Sequence, residues 1–247
     1  MIRTAAISAH RGGCEDALAG TYEAYTKALE AGADYVEFDV RRTADGELAV
    51  YHDAYAPGHN SVTEISYAML RARAGYEVPR VADIMRLIAG RAIAHLDLKE
   101  ASGADTIIEQ ALEILGPGNF VATTLEDASV AAIRSGFPEV SVGLSLGRDL
   151  GAMPLLLRPW ARRQEAFPLR RIRACGADWV AMHYRFALAG VLGRCHRQNL
   201  KTMVWTVNSE AMITRWLADP RVDVLVTDRP RRAIAARDRL RDVPGPA

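Results

Sequence analysis

The sequence predicts a single α/β domain folded as an eight-stranded parallel barrel, (βα)₈. Three observations predict it. Short apolar runs alternate with longer amphipathic stretches along the whole chain, the signature of repeated strand–helix units. Most of the runs are continuous β-branched or aliphatic stretches, as expected of strands covered on both faces. The length, 247 residues, is one at which such barrels commonly occur. A doubly wound open sheet satisfies the same pattern and stays open at this level.

The first strand is expected at Ala5–Ala9. The apolar run there is too short for a secretion signal and stops at His10. Tyr22–Ala31 follows as a helix with Ala24, Tyr25, Ala28 and Leu29 on one stripe. Gly32 suits the left-handed position just past that helix, and the next strand, Tyr35–Val40, starts almost at once. Asp45-Gly46 between two extended runs marks a hairpin, so Leu48–Tyr51 is expected to return antiparallel. Ala92–Leu98, Phe120–Thr124 and Val140–Leu146 are further strands, with a helix at Asp105–Leu115 carrying Ile107, Ile108, Ala111, Leu112 and Leu115. Arg148–Arg173, with Pro154, Pro159 and Pro168, reads as an irregular or inserted loop-helix segment. Cys175-Gly176-Ala177 then leads into Asp178–His183, and Thr202–Val207 and Val222–Thr227 complete the set. Setting the hairpin arm aside leaves eight strands for the parallel sheet. The tail from Val243 is expected to fray.

Composition narrows the function. With 49% apolar and 25% charged residues the chain is an ordinary globular one, which excludes disorder for its bulk. Basic and acidic residues number 31 and 30, so no global field holds nucleic acid or an anionic membrane. Only Lys27, Lys99 and Lys201 are lysines, so a lone arginine is a weak signal here and a lysine a stronger one. Cys14, Cys175 and Cys195 are odd in number and lack CxxC spacing, against a disulfide framework or zinc ribbon. No apolar run reaches the roughly eighteen residues of a membrane span. A soluble, cytoplasmic protein without stable membrane insertion is expected; its oligomeric state is open.

In a parallel barrel the chemistry gathers at the C-terminal ends of the strands. Those ends carry His10-Arg11, Glu37 and Asp39, Asp97 and Lys99, Trp205, Asn208 and Thr227-Asp228, and His52-Asp53 closes the hairpin arm. Glu37 and Asp39, two apart on a strand, face the same side. Two carboxylates so aimed repel unless a cation lies between them, and hard oxygen donors suit Mg²⁺ or Ca²⁺. The competing reading has Glu37 in a surface turn and Asp39 paired with Arg41 or Arg42. Asp97 and Lys99 repeat the spacing on the next strand, and a cation beside a lysine points to an anionic substrate, most simply a phosphate. His10 and His52 are the acid–base candidates because imidazole titrates near neutrality. Arg11 can reach a phosphoryl oxygen. His95, in register with Asp97, stands behind the site at most, and His59, His183 and His196 are weaker. Trp205 either walls a pocket or packs in the core. Asp228 is expected to cap the last helix. No P-loop, GxSxG elbow or dinucleotide glycine fingerprint is present.

His10-Arg11-Gly12, Gly32-Ala33-Asp34, Glu37-Phe38-Asp39-Val40, Thr43-Ala44-Asp45-Gly46 and His52-Asp53 together resemble the signature of glycerophosphodiester phosphodiesterases. The resemblance continues through Leu96-Asp97-Leu98-Lys99, Val204-Trp205-Thr206-Val207-Asn208 and Thr227-Asp228-Arg229-Pro230, nearly the whole chain. It implies a (βα)₈ barrel that uses bound Mg²⁺ or Ca²⁺ to hydrolyse a small-molecule phosphodiester to glycerol 3-phosphate and an alcohol. It further implies Glu37, Asp39 and Asp97 as metal ligands, His10 and His52 as the acid–base pair, and Arg11, Lys99 and Trp205 around the substrate. The implied mechanism is attack by the glycerol 2-hydroxyl on phosphorus, then opening of the cyclic phosphate by water. Two features depart from the family pattern. Leu18-Ala19-Gly20 stands where the family has Pro-Glu-Asn, with Glu15 or Asp16 as possible replacements for the lost acid, and Asp97 stands where the family usually has Glu. Competing readings are another phosphodiester (a lysophospholipid, sphingolipid or sugar-phosphate ester) and an inactive barrel that only binds. A lipid substrate needs an apolar rim, for which Met153–Leu157 with Pro159-Trp160 is the candidate; a buried helix is the expectation there.

Overall fold

The computed structural model describes residues 3–100, 103–148, 151 and 153–242. The strands are β1 (Ala6–Ala9), β2 (Tyr35–Arg42), β3 (Leu48–Val50), β4 (Tyr55–Ala56), β5 (Asn60–Ser61), β6 (Ile93–Leu98), β7 (Phe120–Thr124), β8 (Ser141–Leu146), β9 (Trp179–His183), β10 (Lys201–Trp205) and β11 (Val224–Thr227). Eight of them pair in parallel in the order β1-β11-β10-β9-β8-β7-β6-β2, and Ser8↔Tyr35 and Ala9↔Val36 join β1 to β2, so the sheet closes into a barrel. The open-sheet alternative is thereby excluded. The hairpin arm β3 runs antiparallel to β2, as Asp45-Gly46 predicts, and β4 and β5 form a separate small ribbon.

The helices are α1 (Tyr22–Ala31), α2 (Tyr67–Ala74), α3 (Val81–Ile88), α4 (Ala104–Leu115), α5 (Asp127–Gly136), α6 (Arg158–Ala166), α7 (Leu169–Cys175), α8 (Tyr184–Leu188), α9 (Val191–His196), α10 (Glu210–Leu217) and α11 (Pro230–Asp242). Their limits follow local chemistry. The Thr21 hydroxyl accepts from Ala24 N at the start of α1, and Gly32 ends it at φ 84°. Ser209 caps α10 in the same way through Met212 N.

The alternation along each strand sorts side chains into two compartments. Ile7, Val36, Phe38, Leu96, Val142, Leu144, Val180 and Val204 face outward and join the helices in the main apolar core. The barrel interior holds a smaller apolar plug of Val121, Trp179, Ala181, Met203, Val224 and Val226. An interior narrowed by such a plug leaves only its upper end for polar chemistry.

Three aspartates just ahead of strands fix the lower rim. Asp34 accepts from Ile7 N at 2.8 Å, Asp178 from Val142 N at 3.4 Å and Asp223 from Thr202 N at 2.9 Å. Each also meets an arginine: Arg237, Arg134 and Arg3 respectively. Each carboxylate thus pins the strand entering beside its own, which is a register lock.

Two expectations need correction or restriction. Among its described residues, Arg148–Arg173 holds a 3₁₀ turn at Leu155–Leu157 followed by α6 and α7, the loop-helix segment expected. It does not bury Leu155, Leu156 or Leu157. Leu155, Leu156, Leu157 and Trp160 are 74%, 92%, 53% and 63% exposed, because α6 turns Ala161 and Glu165 inward instead. The frayed tail expected from Val243 lies outside the described residues. Among those described, Cys14, Cys175 and Cys195 are free thiols and no helix is long and apolar enough to cross a membrane.

Candidate active site

The upper end of the barrel opens into a cleft of about 300 Å³ bordered by His10, Arg11, Glu37, His52, Asp97 and Lys99 on one side and by Leu125, Gly147, Ala181, Trp205 and Val226 on the other. One wall is charged and the other is apolar. A second hollow of about 260 Å³ adjoins it around Arg11, Asp39, His52, Asp53 and Tyr76. His10, Arg11, Glu37, Asp39, His52, Asp53, Asp97, Lys99 and Trp205 each line one of these two spaces, whereas Asn208, Thr227 and Asp228 line neither.

Glu37 and Asp39 are 3% and 2% exposed, and with Asp97 they offer oxygen atoms that all lie within 4.8 Å of one another. Asp39 does not pair with Arg41 or Arg42. Arg41 bonds Glu100 at 2.9 Å, and Arg42 reaches the Gly103 carbonyl. Its partners are Lys99, with Nζ 2.8 Å from Oδ1, and Arg11, with Nε 3.1 Å from Oδ2; both are ion pairs set off the hydrogen-bonding axis. Lys99 also bonds Asp97. Burial, then the Asp39 carboxylate, push Glu37 up to about 7. Burial opposes charge on Asp39 too, yet Lys99 and Arg11 hold its carboxyl below the usual value. An all-oxygen donor set of three acids, one of them forced toward its neutral form by its neighbours, fits a hard divalent cation such as Mg²⁺ or Ca²⁺.

The His10–Gly13 turn delivers the first histidine. Arg11 adopts a left-handed conformation at φ 51°, and its own N–H donates to Glu37 Oε2 at 2.7 Å. Gly12 is required: a Cβ there would come within 2.7 Å of the Ala24 carbonyl carbon at the start of α1. His10 Nδ1 donates to Asp228 Oδ1 at 2.6 Å, leaving Nε2 toward the cleft, 4.0 Å from Glu37 Oε2. His52 Nδ1 donates likewise to Asp53 Oδ1 at 2.7 Å. Burial alone would lower the His10 pKa, but Glu37 and Asp228 outweigh it and the net shift is upward. Burial lowers that of His52; Asp39 opposes this and Arg11 adds to it, and the net shift is downward. The two imidazoles are thus tuned in opposite senses.

Asp228 is not the helix cap expected of it. One oxygen holds His10 and the other accepts from Asn208 Nδ2 at 2.5 Å, while Asn208 Oδ1 accepts from Asp228 N at 3.0 Å. The first turn of α11 is served by Glu15, whose carboxylate accepts from Arg231 N at 3.0 Å. Glu15 and Asp16 also pair with Arg232 and Arg231, so neither replaces the acid missing at Ala19. Ala19 and Gly20 border the second hollow without a polar side chain. Gly20 sits at φ 81°, a conformation that Gly and Asn share most readily, which accounts for the exchange at that position.

Beneath the acids lies a buried polar chain. Thr123 Oγ1 donates to Asp97 Oδ1 at 3.1 Å, and His95 Nε2 lies 3.0 Å from Thr123 Oγ1. Asp97, paired with an ammonium, only accepts. The one hydroxyl proton of Thr123 is then committed, so His95 Nε2 must donate to Thr123 and its Nδ1 must accept from Ser8 Oγ, 3.4 Å away. Burial lowers the His95 pKa to about 4, so the ring is neutral and this tautomer is fixed. Neither Thr123 nor Ser8 carries a sequence signal, since both sit inside ordinary strands. Trp205 walls the cleft: its indole meets His183 edge-on at 5.3 Å, and a Cβ on Gly147 would lie 2.8 Å from the ring.

Residues 10–128 match the model of the glycerophosphoryl diester phosphodiesterase family. A glycerophosphodiester phosphodiesterase of Caldanaerobacter subterraneus is 24% identical over 92% of this chain and 96% of its own. Among solved structures, a glycerophosphodiester phosphodiesterase from Parabacteroides distasonis superposes with a TM-score of 0.77 at 19% identity, covering 97% of this chain and all of the other. An Oleispira antarctica phosphodiesterase in complex with sn-glycerol-3-phosphate gives 0.75 at 17% identity, over 95% of this chain and 97% of its own.

Proposed function

The chain belongs to the glycerophosphoryl diester phosphodiesterase family and is a phosphoric diester hydrolase, and from that premise we propose that it releases glycerol 3-phosphate and an alcohol from small glycerophosphodiesters. The observation that carries this reading is the pair of oppositely tuned histidines, each held through Nδ1 by an aspartate, facing one cleft above three clustered acids. Environments that push two titrating groups apart assign their roles. The Oleispira protein's bound product is the expected occupant of the charged wall.

Glu37, Asp39 and Asp97 hold a divalent cation, Mg²⁺ or Ca²⁺, which supplies charge neutralisation for the phosphoryl oxygens. Arg11 and Lys99 orient the phosphate, and Trp205 with Leu125 bounds the space for the attached groups. His52, the lower-pKa imidazole, takes the proton of the glycerol 2-hydroxyl as that oxygen bonds to phosphorus. His10, the higher-pKa one, gives its proton to the departing alcohol oxygen as the P–O bond breaks. The cyclic phosphate is then opened by water. His10 takes the water proton, His52 returns its own to the 2-oxygen, and both regain their starting states.

The test is release of glycerol 3-phosphate from glycerophosphocholine and glycerophosphoethanolamine with Mg²⁺, with Ca²⁺ and with EDTA. Metal-dependent release is expected on at least one substrate, and release undiminished by EDTA would overturn the metal role. His10→Ala and His52→Ala should each lose roughly 10²–10⁴-fold in kcat while cation binding persists. Near-normal turnover by either variant would sink the two-histidine scheme.

A further inference from the structure

We propose that the exposed rim formed by the 3₁₀ turn Leu155–Leu157 and the start of α6 docks the protein on an anionic lipid surface, with the cleft turned toward that surface. Charge is the first support. Residues 147–175 carry seven arginines against two acids, leaving 24 basic and 28 acidic residues for the rest of the chain's 31 and 30. Arg148, Arg162 and Arg171 pair with Glu126, Glu165 and Asp127, which leaves Arg158, Arg163, Arg170 and Arg173 without an acidic partner among the described residues, a basic surplus on an otherwise acidic molecule. A general preference of this sequence for arginine over lysine does not explain why the acids are so scarce there.

The second support is the coincidence of that charge with apolar exposure. Leu155, Leu156 and Leu157 stand 53–92% exposed, and Trp160 follows one turn later at 63%. Arg158, Arg162 and Arg163 are interleaved with them. Protruding leucines and a tryptophan beside arginines match the composition of helices that lie in a bilayer interface. Trp160 borders a hollow of about 370 Å³ with Met153 and Gln164, whereas Leu155, Leu156 and Leu157 turn out to solvent beside it and suit insertion into a deformable phase. A second copy of the chain is disfavoured as occupant, because a two-fold contact would set like-charged arginines against one another. The third support is position. Gly147 and Arg148 donate their N–H groups to Glu165 of α6 at 3.2 and 2.8 Å, and Gly147 packs against Trp205 of the cleft wall. The rim thus springs from the apolar side of the active-site mouth.

The experiment is sedimentation of the full chain with vesicles of phosphatidylglycerol and phosphatidylcholine, compared with phosphatidylcholine alone, at low and high salt. Binding should be at least tenfold tighter to the anionic vesicles and should weaken with salt. The double variant Leu155→Ser/Leu156→Ser should lose at least tenfold on the anionic vesicles. Arg163→Glu should lose affinity for anionic vesicles only. Both variants should keep the wild-type melting temperature and turn over water-soluble glycerophosphocholine within twofold of wild type. Equal binding to both vesicle types, or unchanged binding by the double serine variant, would overturn the proposal. So would a wild-type dimer in solution that the double variant abolishes, since a second copy would then be what covers the rim. Absence of glycerophosphocholine turnover in the wild type bears on the proposed reaction and leaves the vesicle result to stand by itself.

Discussion

Asp228 shows what a single carboxylate decides. Followed by Arg229-Pro230, it carries the local signature of a helix cap, whereas its partner His10 lies 218 positions away and leaves no trace in local pattern. Glu37 and Asp39 were readable because strand periodicity alone sets them side by side. Asp228 was not, because its role comes from barrel closure. Its charge helps raise the His10 pKa, so Asp228→Asn should lower it. In the proposed scheme His10 must start protonated, so the alkaline limb of the kcat/KM profile should move to lower pH in that variant while the acid limb, set by neutral His52, stays in place. An unmoved alkaline limb would show that another group sets it. Thr123 makes a second case. It orients Asp97 and is itself fixed by the His95 tautomer, so Thr123→Val should weaken divalent-cation binding about tenfold. Thr123→Ser should restore it. Calorimetry reads the affinity, and nitrogen-15 NMR should find His95 protonated on Nε2.

Among elements, all nine strands expected from the sequence are present within about two residues of their anticipated limits. Continuous apolar runs between glycine-ended helices have few other ways to satisfy their backbones. The segment after β8 resisted reading for the opposite reason. Three consecutive leucines and a tryptophan look alike whether they enter a core or leave it, and only the inward turn of Ala161 and Glu165 settles which. The lower-rim aspartates belong to this scale too, since each joins two strands. Asp34→Ala removes the acceptor for Ile7 N and the partner of Arg237. The carboxylate is partly exposed, so the cost should be about 1–2 kcal/mol, read by urea unfolding. Because the lock lies at the end of the barrel away from the cleft, kcat should change less than twofold. A loss of kcat without a loss of stability would mean that register at the lower rim reaches the site.

For the molecule as a whole, the acid cluster subtracts from stability until it is neutralised. Glu37 has a folded-state pKa of about 7 against an ordinary 4.5, so the folded form binds the extra proton between those values and its stability rises as pH falls through about 7. In EDTA at pH 8, Glu37→Gln should therefore melt higher than wild type, and the difference should vanish near pH 4.5. Added cation should reverse the order by stabilising the wild type, by about 2.7 kcal/mol at a hundred times its dissociation constant. A wild-type melting temperature indifferent to both cation and pH would contradict this. The closure of the barrel carries one more implication. β1 pairs with β11 through Ala6↔Val224 to Ala9↔Thr227, and the same seam brings Asp228 to His10. During synthesis β1 must wait for β11 to leave the ribosome, so His10 gains its orienting carboxylate only once the closing strand has been made. A chain that stops short of β11 has Glu37, Asp39, Asp97 and both imidazoles, but it holds His10 without the Asp228 carboxylate. In the proposed scheme hydrolysis therefore depends on the strand that closes the barrel as much as on the strands that carry the acids.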